Sequence, residues 1–531
     1  MASKEDSSER RLVPRWRYAR RIVHTAEHSG DPRARPTFVS RLAIPQDVIE
    51  NWRRCQSITT AADLVANAVA FDKSAVAHDA ARFLIVNKSR TTRDVASLAR
   101  SVLPDPAATV TNAYTLPIGS ESGQEARRIV HDTRLRLADS PRNVAYRLDL
   151  SLAYTVLGHA EKAWIEMDRA RILAPNHRNV LRANVRLLIH LNRAEEAYAL
   201  VRRHPRTLQD PWLMSLELTL ASILSQPVKL ALRARKLIEE LKHEPAFIAE
   251  LTSATGMLEL HAGNHKRGRK LLQLSLVDPT DNVIAQAQWA KQQDKSIIVL
   301  DKVLQRPGTM EANFFHAMAE ARWADALTHV NAWEIDEPFS SRPAVSGSFL
   351  ALSLLDDSER AIQFAEAGLR ADGGDQLLRN NYVVALTRAS RIKDAQAEFQ
   401  KIQRPLPSSY PEYSFLATKG LLAFADGEIE VGRKLYTQAI ELARHTERQL
   451  VLVNWMDTES RYSPETAELM IKEYGALLQS NRNPVISAMA TETIKHHKKQ
   501  QLTISIERPK KLDVPPVLLQ LLKYDRTVKN R

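Results

Sequence analysis

A small residue returns along this chain at a nearly fixed interval. Ala163, Ala197 and Ala231 are spaced 34 residues apart, and Gly268 follows 37 further on. Ala326, Ala361, Ala395 and Gly432 continue the series at 35, 34 and 37, and Ala62 and Ala96 repeat the 34 nearer the N-terminus. A period of this length signals one supersecondary unit repeated in line, with the small residue marking where two rods touch. Between Gly268 and Ala326 the interval is 58, and the pattern gives no register there.

The stretch LDLSLAYTVLGHAEKAWIEMDRARILAP, residues 148–175, shows what one unit contains. Leu150, Tyr154 and Leu157 share one helical face, Gly158 breaks the helix, and Ala163, Met167 and Ala170 share a face of a second helix. Pro175 ends that helix because it lacks the backbone donor. Other units bring matching residues: Trp323, Val330, Trp333 and Pro338 around Ala326, Phe399 after Ala395, and Gly420, Gly427, Tyr436 and Ala439 around Gly432. This order resembles the tetratricopeptide repeat, with Ser151 at the usual glycine and Met167 at the usual phenylalanine. The resemblance implies an all-α fold: a right-handed superhelical α-solenoid of antiparallel helix pairs, here with basic terminal extensions. It also implies a concave groove, lined by the first helix of each pair, that holds a partner segment.

Composition fits such a chain. A solenoid of 531 residues grows by stacking neighbours and needs no single large core. Sixteen glycines and 6% aromatic residues suit helices better than a barrel or sandwich. No run approaches the ~18 apolar residues of a membrane span, and the polar start MASKEDSSERR does not read as a secretory signal. The single cysteine, Cys55, excludes an intrachain disulfide and a cysteine-only zinc site. These features predict a cytoplasmic protein with no membrane contact.

The expected organisation is a basic leader over 1–40, divergent helical hairpins over 41–103 and a proline- and glycine-containing joint over 104–123. Repeats then span 124–290, an irregular segment 291–309, further repeats and closing helices 310–480, and a basic tail 481–531. Of the net charge of +13, residues 1–40 supply +4 and residues 491–531 supply +6, so the repeat body is nearly neutral. Arg15, Arg17, Arg20 and Arg21 in the leader, and Lys498, Lys499, Lys510 and Lys511 in the tail, are therefore the candidates for contacting nucleic acid or another acidic surface. Two readings of the leader stand side by side. Its arginines could meet phosphate while Trp16 and Tyr18 stack on bases, or Trp16, Tyr18 and Val23 could pack on the first hairpin with the arginines in water. In the tail, Leu502, Ile504 and Ile506 alternate like a strand, and Val517, Leu518, Leu521 and Leu522 read as a capping helix or a docking peptide.

Catalytic signatures are missing. No phosphate loop, zinc-binding His-Glu-x2-His helix or dinucleotide fingerprint occurs, and GSESG at Gly119 has Glu121 where a nucleophilic serine is required. The sequence therefore predicts no enzyme, cofactor or metal, and no catalytic residues. Carrying the groove geometry over, Asn179, Arg182, Arg186 and His190 fall on one inward stripe, and Asn380, Asn381 and Arg388 take comparable places in a later unit. The arginines suit carboxylates, so the predicted partner is another protein or peptide segment of acidic character. The expected function is a protein-interaction scaffold or regulatory adaptor; the alternative is a nucleic-acid-associated repeat protein acting through its termini and groove arginines.

Overall fold

The computed structural model describes residues 10–18, 44, 46–70, 74–87, 90–91, 93–103, 120–407 and 410–503, which fall into two units. The smaller contains α1 (Gln46–Arg54), α2 (Ile58–Ala70), α3 (His78–Val86) and α4 (Arg93–Val102). Leu64, Val65, Leu84, Ala99 and Val102 form its core, and Trp52 meets Phe83 edge-on at 5.4 Å.

The larger unit comprises residues 10–18 together with everything described from 120 onward. It opens with α5 (Ser120–Asp139), then pairs α6 (Val144–Val156) with α7 (Ala160–Leu173) and α8 (Arg178–His190) with α9 (Ala194–Arg203). Next come α10 (Pro211–Ile223) with α11 (Ala231–Glu240), and α12 (Pro245–His261) with α13 (His265–Ser275). After α14 (Asp281–Gln293) stands only the one-turn α15 (Asp301–Leu304), and full pairing resumes with α16 (Met310–Ala319) and α17 (Trp323–Asp336). The pairs α18 (Ser341–Leu354) and α19 (Ser358–Ala371), α20 (Gln376–Arg388) and α21 (Ile392–Phe399), and α22 (Glu412–Ala425) and α23 (Ile429–Leu442) follow. Then α24 (His445–Tyr462), α25 (Pro464–Gln479) and α26 (Pro484–Thr503) close the series. Most helices pack on their pair mate and on the first helix of the next pair, and no strand occurs among the described residues. This is an all-α, tetratricopeptide-like solenoid.

The recurring small residues sit where the helices of a pair cross. Ala163, Ala197, Ala326, Ala361 and Ala395 are fully buried. A Cβ on Gly268 would lie 3.0 Å from the Gly256 carbonyl oxygen, and one on Gly432 would lie 3.0 Å from that of Gly420. In the first pair the same crossing is bridged, because Ser151 Oγ donates to the Ala163 carbonyl at 2.7 Å. One landmark moves. Ala231 is only half-buried at the start of α11, and the enclosed small residue of that pair is Ala234, one turn later.

A second periodic element lies in the hairpin turns. Gly158, Asn192, Ser225, Gly263, Ala321, Asp356, Ser390 and Gly427 all adopt left-handed backbone, with φ from 49° to 84°. Each stands just past the first helix of a pair, and the next residue's N–H reaches back to that helix, as His159 does to the Tyr154 carbonyl and Arg193 to that of Leu188, both at 2.8 Å. This satisfies carbonyls that the helix end would otherwise leave unpaired. The long interval between Gly263 and Ala321 is now explained: it holds α14, whose second helix has shrunk to an irregular segment and α15.

The larger unit turns back on itself. Ala126 and Ile129 of α5, Leu152 and Ala153 of α6 and Ala371 of α19 share one apolar cluster. A Cβ on Gly158 would come within 2.5 Å of the Arg370 carbonyl, so glycine here serves both the turn and the return contact. At the far end α26 covers the last pair, with Ile486, Met489, Ala490 and Ile494 in the core that holds Met456, Met470 and Leu478. Leu502 belongs to α26, whereas Ile504, Ile506 and the leucine-rich stretch from Val517 lie outside the described residues.

Candidate functional site

The interior of this turn is filled by the chain itself. Residues 10–18 run across the first helices of successive pairs, and Arg10, Leu12, Val13, Trp16 and Tyr18 are all buried. Leu12 packs with Met214 and Leu218, Val13 with Val185 and Leu213, and Trp16 and Tyr18 with the cluster that joins α5, α6 and Ala371. Trp16 meets Phe339 edge-on at 5.6 Å. These contacts revise both readings of the leader, since Trp16 and Tyr18 pack inside the repeat body and Arg10, Arg15 and Arg17 are bonded to carboxylates, while Val23 lies outside the described residues.

The backbone of the segment is held by side chains. Asn282 donates to the Val13 carbonyl at 2.9 Å, Gln286 to that of Arg10 at 3.1 Å and Thr219 to that of Leu12 at 3.5 Å. Amide side chains suit this task because each offers a donor to the peptide and an acceptor to a neighbouring group. Here the acceptors are also used: Arg10 donates to Asn282 Oδ1 at 2.6 Å and to Gln286 Oε1 at 2.8 Å.

Carboxylates then clamp the arginines. Glu311 accepts two bonds from Arg10 at 2.9 Å and one each from Arg15 and Arg342. Arg15 also pairs with Glu337 and with Asp281, the latter at 3.3 Å. Arg17 makes a two-pronged bond to Asp336 and reaches Asp281. Planar guanidinium forks fit such bidentate geometry. Burial opposes charge on Glu311, but the guanidiniums of Arg10, Arg342 and Arg15 outweigh it and hold the carboxyl well below its usual range. Asp281 and Glu337 are also depressed against the opposing effect of burial, chiefly by Arg17 and Arg15 for the first and by Arg15 and Arg186 for the second.

The sequence-predicted groove residues take different places. Arg182 is buried, bonded to Glu250 at 2.8 and 3.0 Å, and its guanidinium lies 4.4 Å over the Trp212 ring, so one side chain ties α8, α10 and α12 together. Arg186 lies 4.8 Å over Phe339, the ring that also meets Trp16 and, at 5.9 Å, His190. Asn179 is exposed at the start of α8. In the later unit Asn380 accepts from Tyr410 and Thr418, and Asn381 donates to Ser348 at 3.0 Å. Arg388 pairs with Asp457 at 2.7 Å. Thus Arg186 and His190 come together with the N-terminal segment, whereas Asn380, Asn381 and Arg388 knit α18, α20, α22 and α24 to one another. Of the terminal cations, Arg15 and Arg17 are bonded as above, Lys498 is exposed, and Arg20, Arg21, Lys510 and Lys511, with the Lys499 side chain, lie outside the described residues.

Asp281, Asn282, Gln286, Glu311, Asp336 and Glu337 were not singled out from sequence. Asp281, Asn282, Gln286 and Glu311 lie within the unplaced interval between Gly268 and Ala326, where repeat register was lost, and Asp336 and Glu337 lie at and just past the end of α17. The signal available was a charge mismatch: a cluster of arginines beside Trp16 and Tyr18 calls for carboxylates if the aromatic residues are to be buried.

No family model and no curated protein matches this sequence. Among solved structures, the chain is similar to the human IFIT1 dimer with PPP-AAAA, at 13% identity over 73% of this chain and 96% of that one, with a TM-score of 0.37. Yeast Tom70 shares 13% identity over 88% and 99%, with a TM-score of 0.30. The APC/C hetero-tetramer Cut9-Hcn1 shares 12% over 86% and 89%, with a TM-score of 0.40. Among the described residues no helix is long and apolar enough to cross a membrane.

Proposed function

We propose that this chain is a non-catalytic protein-interaction scaffold whose interior is built to hold an extended segment bearing arginines and aromatic side chains. The observation that carries this reading is the seating of Arg10–Tyr18, in which amides take the backbone carbonyls, carboxylates take the guanidiniums and apolar clusters take Leu12, Val13 and Trp16. Those are the elements by which a groove recognises a peptide: main-chain bonds for affinity and side-chain sites for selectivity. The charge of the interior favours a cationic segment there, since Arg182 is already neutralised by Glu250 while Glu311, Asp281, Asp336 and Glu337 face the occupant. A regulatory adaptor follows naturally, because a partner segment of like chemistry must exchange with the chain's own.

Nucleic-acid association through the leader is the less favoured reading. Arg15 and Arg17 are part-buried and already bonded to carboxylates, which leaves them little to offer phosphate. The test uses the full chain carrying Arg15→Glu and Arg17→Glu, which sets carboxylate against carboxylate and weakens the seating in cis. A fluorescent peptide with the sequence of residues 9–19 should then bind and raise anisotropy, and the same peptide with Arg15 and Arg17 replaced by glutamine should not. Equal binding of the two peptides, or none of either, overturns the reading.

A further inference from the structure

We infer that a second surface, the cleft between α5, α6 and the start of α7, docks an acidic, leucine-bearing segment of a partner protein. This rests on residues separate from the occupied interior. Arg127, His131 and Arg134 project from one stripe of α5, spaced four and three residues apart, and His159 and Lys162 face them across the cleft. The floor is apolar, made by Val130, Leu135, Leu157 and the Tyr154 ring, and the cleft measures about 530 Å³. Leu135 is 49% exposed.

Charge distinguishes this cleft from an ordinary solvated face. None of its lining residues is an Asp or Glu. Among the described residues Arg127, Arg134 and Lys162 form no ion pair, whereas Arg128, on the neighbouring stripe of α5, pairs with Glu125 at 2.8 Å. Three like charges gathered over a low-dielectric floor repel one another and focus a positive potential into the opening. A ligand with carboxylates removes that repulsion, and its apolar side chains would cover Leu135.

The same geometry favours an acidic protein segment over nucleic acid. Stacking a base needs an accessible aromatic face. Tyr154, the one Phe, Tyr or Trp that lines the cleft, has the Lys162 ammonium 5.8 Å from its centroid and the His159 ring edge-on at 6.3 Å. Leucine-sized apolar floor remains, and a carboxylate-rich amphipathic helix offers both chemistries at once.

The experiment titrates the full chain with two labelled probes: a twelve-residue peptide of repeated Glu-Glu-Leu, and an oligothymidylate of twelve nucleotides. The peptide should bind more tightly than the oligothymidylate, with an affinity that weakens as salt is raised. Replacing Arg127, Arg134 and Lys162 together by glutamine should reduce that affinity about tenfold or more. Arg128→Gln, on the neighbouring stripe, should leave it unchanged. These side chains lie at the rim, so an unchanged circular dichroism melt certifies the variant. A triple variant that binds as well as the parent, an oligothymidylate that binds as tightly as the peptide, or a peptide that does not bind at low salt would each overturn the inference. A peptide affinity that fell equally with Arg128→Gln would do so too, by showing a diffuse charge effect.

Discussion

Replacing Glu311 by glutamine tests how the N-terminal segment is held. The Glu311 side chain is fully enclosed and accepts from Arg10, Arg15 and Arg342. Glutamine keeps the shape, withdraws the charge and turns one acceptor into a donor aimed at guanidinium. Removing one partner of a buried ion pair costs about 3–5 kcal/mol. The lower end applies here, because Arg10 keeps Asn282 and Gln286 while Arg15 keeps Glu337 and Asp281. A cost of about 3 kcal/mol, at 1.4 kcal/mol per decade, raises the released population roughly a hundredfold. Trypsin reports that population when opening and closing outpace cleavage. Peptides ending at Arg11, Arg15 or Arg17 should therefore appear roughly a hundred times faster than from the parent chain. Hydrogen exchange in α20–α26 should stay as in the parent, which separates release of the segment from global unfolding. An acceleration below about threefold, with the fold intact, would refute the carboxylate-clamp account.

Three further outcomes follow from the same contacts. Glu311, Asp281 and Glu337 have lowered folded-state values, so their stabilisation is complete above the unfolded carboxylate range near pH 4 and is lost as pH falls through the folded values. Hydrogen exchange of residues 12–18, corrected for the intrinsic rate at each pH, should accordingly rise only below about pH 4, and release between pH 5 and 7 would contradict this. Arg182→Glu with Arg186→Glu should lower the thermal melt sharply, at a cost of about 3–5 kcal/mol or more, because it sets a buried carboxylate against Glu250. Ala163→Leu should destabilise by roughly 1–3 kcal/mol in denaturant titration, since the crossing with Ser151 has no room for the added isopropyl group.

The Arg182 expectation shows where sequence reading stopped. Spacing alone put Arg182 and Arg186 on the inward stripe, and they do face inward, but a period cannot say what stands opposite on a helix 68 residues away. With Glu250 and Trp212 packed against Arg182, reversing both charges is expected to cost stability and not partner binding alone. The small-residue series was legible because each contact it marks is local, between helices of one hairpin, and Ala163, Ala326 and Gly432 lie where the spacing put them. Ala231 missed by one turn because its helix offers a second alanine, Ala234, on the buried face. The left-handed turns were half legible: Gly158, Gly263 and Gly427 announce themselves, whereas Ala321 and Asp356 hold the same conformation through the packing of the hairpin. The seating of Arg10–Tyr18 was the least legible feature, since the side chains that hydrogen-bond it lie about 200 to 320 residues away in sequence. What the sequence did contain was an imbalance, arginines beside Trp16 and Tyr18 in a chain whose body is almost neutral. Burying those rings requires the arginines to find carboxylates, and α14 and α16 supply Asp281 and Glu311 to the same Arg15. The same requirement makes the interior selective: an occupant with the aromatic side chains but without the guanidiniums would leave Glu311 buried and unpaired, which is why charge, more than shape, should decide what can take the segment's place.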